Sequence, residues 1–465
     1  MSLIDRLAAI VGWDNIITEP AALEPYLVDW RRRYRGTAQC VVRPGNTAEV
    51  AAVVAACAEA GAGIVPQGGN TGLVGGGISK NDEVIVSLTR LNRIRSVDAD
   101  NNTMVVEAGV ILQHAQEAAA QVNRLFPLSL AAEGSATIGG NISTNAGGVQ
   151  VLHYGNMREL VLGLEVVLPD GRIWHGLRAL RKDNTGYDLK QLFIGAEGTL
   201  GLVTAAVLKL FPRPQAQLTA WLAVRSPAAA VTVLSRLRET CGERVTAFEL
   251  MAQTPLSMVR QHLPQVFIPL VPQPWQVLVE LSDTWRGAPL ADMLNEALQP
   301  LLERGDVTDA VLASNEMQAK AMWRVRESIP EAQKVEGYSI KHDIAMPVSA
   351  IPAFIERAAV ELERAFPNIR IVCFGHVGDG NLHYNLSPQA GDDRDFLANT
   401  ATVNRIVHDL VHYVGGSISA EHGIGQLKIS ELAHYKSELE LVLMRGIKQT
   451  FDSGNLLNPG KLFGE

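Results

Sequence analysis

Residues 66–79 read PQGGNTGLVGGGIS, and the residues after the last glycine decide the fold. Eight glycines fall between positions 61 and 77: Gly61, Gly63, Gly68, Gly69, Gly72, Gly75, Gly76 and Gly77. Glycine permits positive φ and close approach of backbone to a ligand, and successive N–H groups in such a loop form a nest suited to a pyrophosphate. Glycine content alone would equally fit a flexible loop. Two familiar nucleotide loops are excluded by sequence. The chain has no GxxxxGK[ST], so it is not a P-loop ATPase. A Rossmann fingerprint would open a helix, whereas this loop continues into EVIVSL, residues 83–88, which reads as a strand. Phosphates would then be held by loop backbone without a helix dipole.

Working outward, residues 44–65, PGNTAEVAAVVAACAEAGAGIV, read as a helix capped by Thr47, stopped by Gly61 and Gly63, and followed by a strand. Thr103–Ala108 is strand-like, and a second glycine block spans 134–148, GSATIGGNISTNAGG. LVLGLEVVLPDGRIW reads as two strands about an Asp170-Gly171 turn. GTLGLVTAAVLKLF then ends at Pro212-Arg213-Pro214, the expected domain boundary. Beyond it, strands (WLAVR, WQVLVELS, IRIVCFGHV) alternate with helices (PLADMLNEALQPLLERG, AIPAFIERAAVELERAF), interrupted by LPQVFIPLVPQP, expected to be an exposed loop. The last fifty residues read as helical. The expected division is 1–215, 216–415 and 416–465, consistent with a length of 465 residues that exceeds one ordinary core.

Composition narrows the function. Hydrophobic residues make up 47% and charged residues 19%, a globular balance. No apolar run reaches the roughly 18–20 residues of a membrane span. The N-terminal MSLIDRLAAIVGWDN has an early acid and no signal-peptide core, so the expectation is cytoplasmic. Lys plus Arg is 41 against 49 Asp plus Glu, a net −8, which disfavours nucleic acid or anionic lipid as the main partner. Cys40, Cys57, Cys241 and Cys373 are dispersed without a C-x-x-C, so disulfide frameworks, zinc ribbons and iron–sulfur clusters are not expected.

A second stretch bears on chemistry. Residues 374–385, FGHVGDGNLHYN, set two histidines symmetrically about Asp379-Gly380. With a two-residue turn there, 376 pairs with 383, and their Cβ atoms lie about 4.5–5.5 Å apart. Alternation puts Asn381 and Asn385 on the face of His383. Such a pair fits a hydrogen-bonded polar patch about as well as a metal site. The stretch SISAEHGIG offers Glu421 as a third ligand, and His/His/Glu with an open position is a common catalytic zinc set.

PQGGNTGLVGGG, EGSATIGGNISTNAGG and RKDNTGYDLKQLFIGAEGTLGLVT together closely resemble the vanillyl-alcohol oxidase / p-cresol methylhydroxylase flavoproteins. Within that superfamily the chain is similar to the D-2-hydroxyglutarate, D-lactate and glycolate dehydrogenases, from around Val28-Asp29-Trp30 to the final LNPGKLF. The resemblance implies an α+β protein with a two-part FAD-binding domain (1–215), an α+β substrate or cap domain (216–415) and a C-terminal helical segment (416–465) packing back near the flavin. It assigns Gln67, Gly68, Gly69, Asn70, Thr71, Gly72 and Leu73 to the FAD phosphates. Gly134, Ser135, Gly139, Gly140, Asn141, Thr144 and Asn145 would lie along the flavin and ribityl chain, and Glu197, Gly198 and Val203 would close over the rest. Residues 66–79 contain no His or Cys for covalent attachment, so dissociable FAD is expected.

The resemblance also implies a divalent metal, zinc, on His376, His383 and Glu421, with His422 as proton acceptor. Arg326 and Lys341, in MWRVRESIPEAQKVEGYSIKHD, would bind substrate carboxylate, and Asn385 would add a donor. The implied reaction is oxidation of a D-2-hydroxy acid, with hydride passing to flavin N5. D-2-hydroxyglutarate is the first expectation. Where the hydroxyglutarate pattern has threonine this chain has Pro330, which leaves D-malate and D-lactate as candidates. A separate electron acceptor, electron-transfer flavoprotein or a quinone, and a homodimer are expected. The competing readings are a flavin-binding electron-transfer subunit of a glycolate oxidase-like complex, and a zinc hydrolase built on the histidine hairpin.

Overall fold

The computed structural model describes residues 1–271, 273–389 and 393–464. Contacts divide the chain into two units: 1–147, 155–213 and the stretch from 421 onward form the first, and 148–154 with 214–420 form the second.

In the first unit, three apolar strands run parallel: Cys40–Val42 and Ile64–Gln67 flank Val84–Ser87, and Ile16–Ile17 adds an antiparallel edge. The helix Thr47–Ala60 connects the two flanking strands. Its cap is Asn46 rather than Thr47: the Asn46 side chain accepts from the Glu49 N–H at 2.9 Å. The Thr47 hydroxyl donates instead to Glu165 at 2.7 Å. Asn46 has the extended backbone that a capping residue needs, whereas Thr47 already lies in the helix. Val50, Val53, Val54 and Cys57 of this helix pack in one cluster with Val42, Ile64, Val84 and Val86. The glycine stretch leads from the strand Ile64–Gln67 to the strand Val84–Ser87 with no helix between, as its sequence implies. At Gly69 a Cβ would stand 2.0 Å from the Ser135 carbonyl oxygen, so only glycine fits there.

The unit's second sheet is antiparallel, in the order Ile94–Asp98, Thr103–Glu107, Leu202–Lys209, Val161–Val167, Ile173–Gly176. Its last hairpin turns over Pro169-Asp170-Gly171, closed by the Leu168 N–H to Arg172 O bond at 2.9 Å. The C-terminal stretch carries the helices Ile429–Tyr435 and Glu438–Phe451, then lays Leu457 beside Ile64.

The second unit is built on a seven-stranded antiparallel sheet, ordered Val307–Leu312, Ala216–Val224, Trp275–Asp283, Val245–Ala252, Arg370–Gly375, Asn381–Ser387, Asp343–Ala345. Trp221, Met251, Leu278, Val372 and Phe374 on its strands share a core with Leu256 and Val259, Met322 and Val325, and Ile329 and Ala332 from three helices. The described residues of the proline-rich stretch 263–274 form no helix, and the next strand begins only at Trp275. It is only partly exposed: Phe267 and Val271 face outward, while Leu263, Val266 and Leu270 are buried. Its residue 272 lies outside the described residues. All four cysteines are free and buried.

The histidine hairpin departs from its expected register. Phe374, not His376, stands opposite His383, and Val372 stands opposite Asn385. The connection is longer than two residues. The Asn381 N–H reaches His376 O at 3.2 Å and the Gly380 N–H reaches Val377 O at 3.2 Å. This 6→1 and 5→2 pair is the Schellman closure of one helical turn. Gly380 at φ 91° supplies its left-handed residue. Asp-Gly therefore makes a turn, but one that ends a helical loop instead of a two-residue reversal.

Candidate functional site

The glycine loop walls a cavity of about 320 Å³ in the first unit. Gln67, Gly68, Gly69, Asn70, Thr71, Gly72 and Leu73 all line it, together with Gly139, Gly140, Asn141, Thr144, Glu197, Gly198 and Val203. Gly134, Ser135 and Asn145 fall outside that wall. The Ser135 carbonyl instead backs Gly69, and the Asn145 side chain accepts from the Arg158 N–H at 2.9 Å.

Side-chain amides hold the loop in shape. Gln67 Nε2 donates to Gly77 O at 2.8 Å and to Tyr26 O at 2.9 Å. Asn70 Nδ2 donates to Val28 O at 2.9 Å. Gln426 Nε2 reaches Gly75 O at 2.9 Å, and Asn458 Nδ2 reaches Gly76 O at 3.0 Å. Carbonyls of three successive glycines are thus pinned by amide donors, while the N–H groups of residues 68–77 find no protein acceptor among the described residues. Fixing a carbonyl fixes the opposed N–H of the same peptide plane. Beside them, Thr137 Oγ1, Asn141 Nδ2 and Asn458 Oδ1 are buried without a protein partner among the described residues. Buried polar atoms without partners are rare. A cavity with rows of unmatched donors fits a pyrophosphate-bearing cofactor such as FAD.

Glu421 and His422 lie on the same wall. Their loop is held by Glu197, whose two carboxylate oxygens accept from the N–H groups of Ile424 and Gly425, both at 2.7 Å. Burial pushes the Glu197 carboxyl up, against the lowering effect of those two bonds. Its backbone is left-handed at φ 51°, and its carbonyl accepts from Asn458 Nδ2 at 2.7 Å.

In the second unit, the His376 and His383 rings lie edge to face with centroids 5.8 Å apart, so they converge despite the altered register. His376 Nδ1 contacts Glu249, a fully buried carboxylate on the strand Val245–Ala252. The other Glu249 oxygen accepts from Arg326 Nε at 2.5 Å. Burial alone would raise the Glu249 carboxyl, yet Arg326 and His376 outweigh it and hold it at about 2. A carboxylate on Nδ1 leaves Nε2 as the ligating atom, the usual dress of a metal-binding histidine. The donor chemistry of this loop therefore fits a divalent metal.

Arg326 also stacks over Phe374 at 4.8 Å. Asn385 is buried, its Oδ1 accepting from the His342 N–H at 3.0 Å and its Nδ2 donating to Gln333 Oε1 at 2.9 Å. Lys341 is exposed at the start of this segment. Pro330 occupies the first turn of the helix Ile329–Glu336, where its missing N–H costs nothing. Asp379, in the loop between the histidines, is pushed up to about 6 by burial.

Sequence reasoning missed Glu249, Thr137, Gln426, Asn458 and Gln333. Glu249 left one signal, a lone acid inside the apolar strand VTAFELMA. Asn458 left another, within LNPGKLF.

Two family profiles match the chain: "FAD binding domain" over residues 38–176 and "FAD linked oxidases, C-terminal domain" over residues 213–462. A protein of Xanthomonas citri pv. viticola named D-2-hydroxyglutarate dehydrogenase is 40% identical over 448 residues, 96% of this chain and 93% of that protein. A Bos taurus protein named D-2-hydroxyglutarate dehydrogenase, mitochondrial, is 39% identical over 460 residues, 98% of this chain and 83% of that protein. Among solved structures, p-cresol methylhydroxylase with substrate bound superposes with a TM-score of 0.78 at 18% identity, covering 99% of this chain and 96% of that one, a likeness of fold.

Proposed function

Because the chain belongs to the FAD-linked oxidase family that includes the D-2-hydroxyglutarate dehydrogenases, we propose that this FAD-dependent dehydrogenase oxidises a D-2-hydroxy acid to its 2-oxo acid in a metal-assisted reaction. D-2-hydroxyglutarate is the leading substrate, with D-malate and D-lactate next because Pro330 offers no hydroxyl. The observation that carries this reading is the presence of Glu421 and His422 on the wall of the glycine-loop cavity, held there by Glu197.

FAD, when bound, supplies the hydride acceptor. His376, His383 and Glu421 would hold a divalent metal, most simply zinc given two imidazoles and a carboxylate, and that ion would supply Lewis acidity toward the substrate hydroxyl. The chain's own residues do the rest. His422 accepts the hydroxyl proton at a ring nitrogen, which a neutral imidazole can do near pH 7. Glu249 fixes the tautomer of His376 through Nδ1. Arg326, braced at Nε by Glu249, presents the rest of its guanidinium to a carboxylate. Lys341 adds charge, and Asn385 lends a polar wall. A separate carrier, electron-transfer flavoprotein or a quinone, would take the electrons, since no cysteine arrangement in the sequence suits an iron–sulfur relay. A homodimer is the assembly we adopt for this reading. No helix among the described residues is long and apolar enough to cross a membrane. The Bos taurus relative is named mitochondrial.

The test is anaerobic. Purified protein is expected to be yellow, and D-2-hydroxyglutarate should bleach the flavin in a single turnover. His422→Ala should keep its colour and lose the bleaching, and a chelator should slow bleaching of the wild type. Bleaching that survives both changes would remove the proposed proton acceptor and the metal together.

A further inference from the structure

The second unit contains a buried amide whose orientation is dictated and whose donor has no protein acceptor. The His342 backbone N–H can only donate, so Asn385 must turn Oδ1 toward it, and the two lie 3.0 Å apart. Asn385 Nδ2 then faces Gln333, which must present Oε1, and that bond is 2.9 Å. The sequence of two bonds fixes an assignment that side-chain amides otherwise leave open. Gln333 Nε2 is left pointing away from Asn385. Gln333 is 2% exposed, and Nε2 is buried without a protein partner among the described residues. An orphaned buried donor costs a fold the desolvation of that group unless something fills the place.

Its neighbours indicate the occupant. Asn385 and His383 share one face of the strand Asn381–Ser387, and the His383 ring lies 4.9 Å from Phe374, over which Arg326 stacks. One turn before Gln333 on the same helix face stands Pro330, which has no hydrogen-bonding side chain. We propose that Gln333 is a specificity-determining residue whose Nε2–H donates to a carboxylate oxygen at the far end of a dicarboxylic 2-hydroxy acid. Arg326 supplies charge to the substrate and Gln333 supplies a directed neutral donor. This rests on the dehydrogenase reading above and extends it to the choice between diacid and monoacid.

The experiment compares D-2-hydroxyglutarate with D-lactate, using a dye as electron acceptor and anaerobic flavin reduction as a second readout. Gln333→Glu is the informative variant: its carboxylate still accepts from Asn385 Nδ2, but it has no N–H and repels a second carboxylate. The expected result is a loss of at least about tenfold in kcat/KM for D-2-hydroxyglutarate, carried by KM, with D-lactate changed less than about threefold. Should that variant not fold, Gln333→Met is read by the same diacid-to-monoacid ratio. Equal losses on both acids would show that Gln333 acts only by supporting Asn385 and would overturn the proposal. No loss on either would assign the donor to a buried water and would also overturn it. A wild type that prefers D-lactate would overturn it too. A wild-type flavin that neither acid reduces would instead remove the dehydrogenase reading itself.

Discussion

Replacing Glu249 by glutamine keeps the volume of the side chain and removes its charge. The structure sets the size of the effect. Glu249 is fully buried, and the side chains of its partners Arg326 and His376 are each only 8% exposed. The variant leaves the Arg326 guanidinium in the interior facing a neutral amide. Breaking a buried pair at one partner costs about 3–5 kcal/mol, a large share of the roughly 5–15 kcal/mol that holds a domain folded. One end of the amide is a donor, so glutamine can accept from Arg326 or from His376 but not from both with the same oxygen geometry. His376 then loses the partner that fixes its tautomer, and metal affinity should fall about 10–100-fold. Two assays separate the consequences. Urea unfolding followed by fluorescence should show the second unit's transition moving down by about 1 M. Competition with a chromogenic chelator should report weaker zinc binding. An unchanged midpoint together with zinc affinity within twofold of wild type would refute the claim that Glu249 organises this corner of the protein.

Three further outcomes are expected. Thr137→Val removes a buried hydroxyl that lacks a protein partner, so the FAD-free protein should be no less stable, while FAD binding measured by fluorescence quenching weakens about fivefold; destabilisation of the FAD-free form would mean that the hydroxyl serves the fold. Gly69→Ala places a Cβ 2.0 Å from Ser135 O, and the protein should purify with little or no bound flavin; a fully yellow variant would contradict the tight packing of the loop. Burial holds the Lys461 ammonium down to about 8 from its ordinary 10.5. Between those two values the unfolded chain binds the proton better than the folded one, so this group's contribution to stability rises with pH across that window and is least favourable below about pH 8. Lys461→Met should therefore be more stable than wild type at pH 7, by up to about 3 kcal/mol of unfolding free energy, and the gap should close by pH 10; a gap that widens with pH would contradict the sign expected from burial.

Local features are written in the sequence. Glycines at 68–77 followed by an apolar strand specify a tight loop between two strands without a helix, because positive φ, close approach and strand alternation are encoded within a few residues. The helix from Thr47 to Ala60 is legible for the same reason, although its cap sits one residue earlier, at Asn46. The pairing of His376 with His383 was legible as convergence but not as register, since Asp379-Gly380 suits both a two-residue turn and the end of a helical loop, and the close packing around Gly380 selects the second.

Which polar groups face one another is settled only by the folded chain. Glu249 meets His376 across 127 residues, Glu197 meets the Ile424 N–H across 227, and Asn458 meets Gly76 across 382. Nothing in the spacing of these residues announces the contacts. They exist because burial strips water from a charge or an amide and leaves it one partner to find, and that partner is chosen by the packing of whole strands and helices.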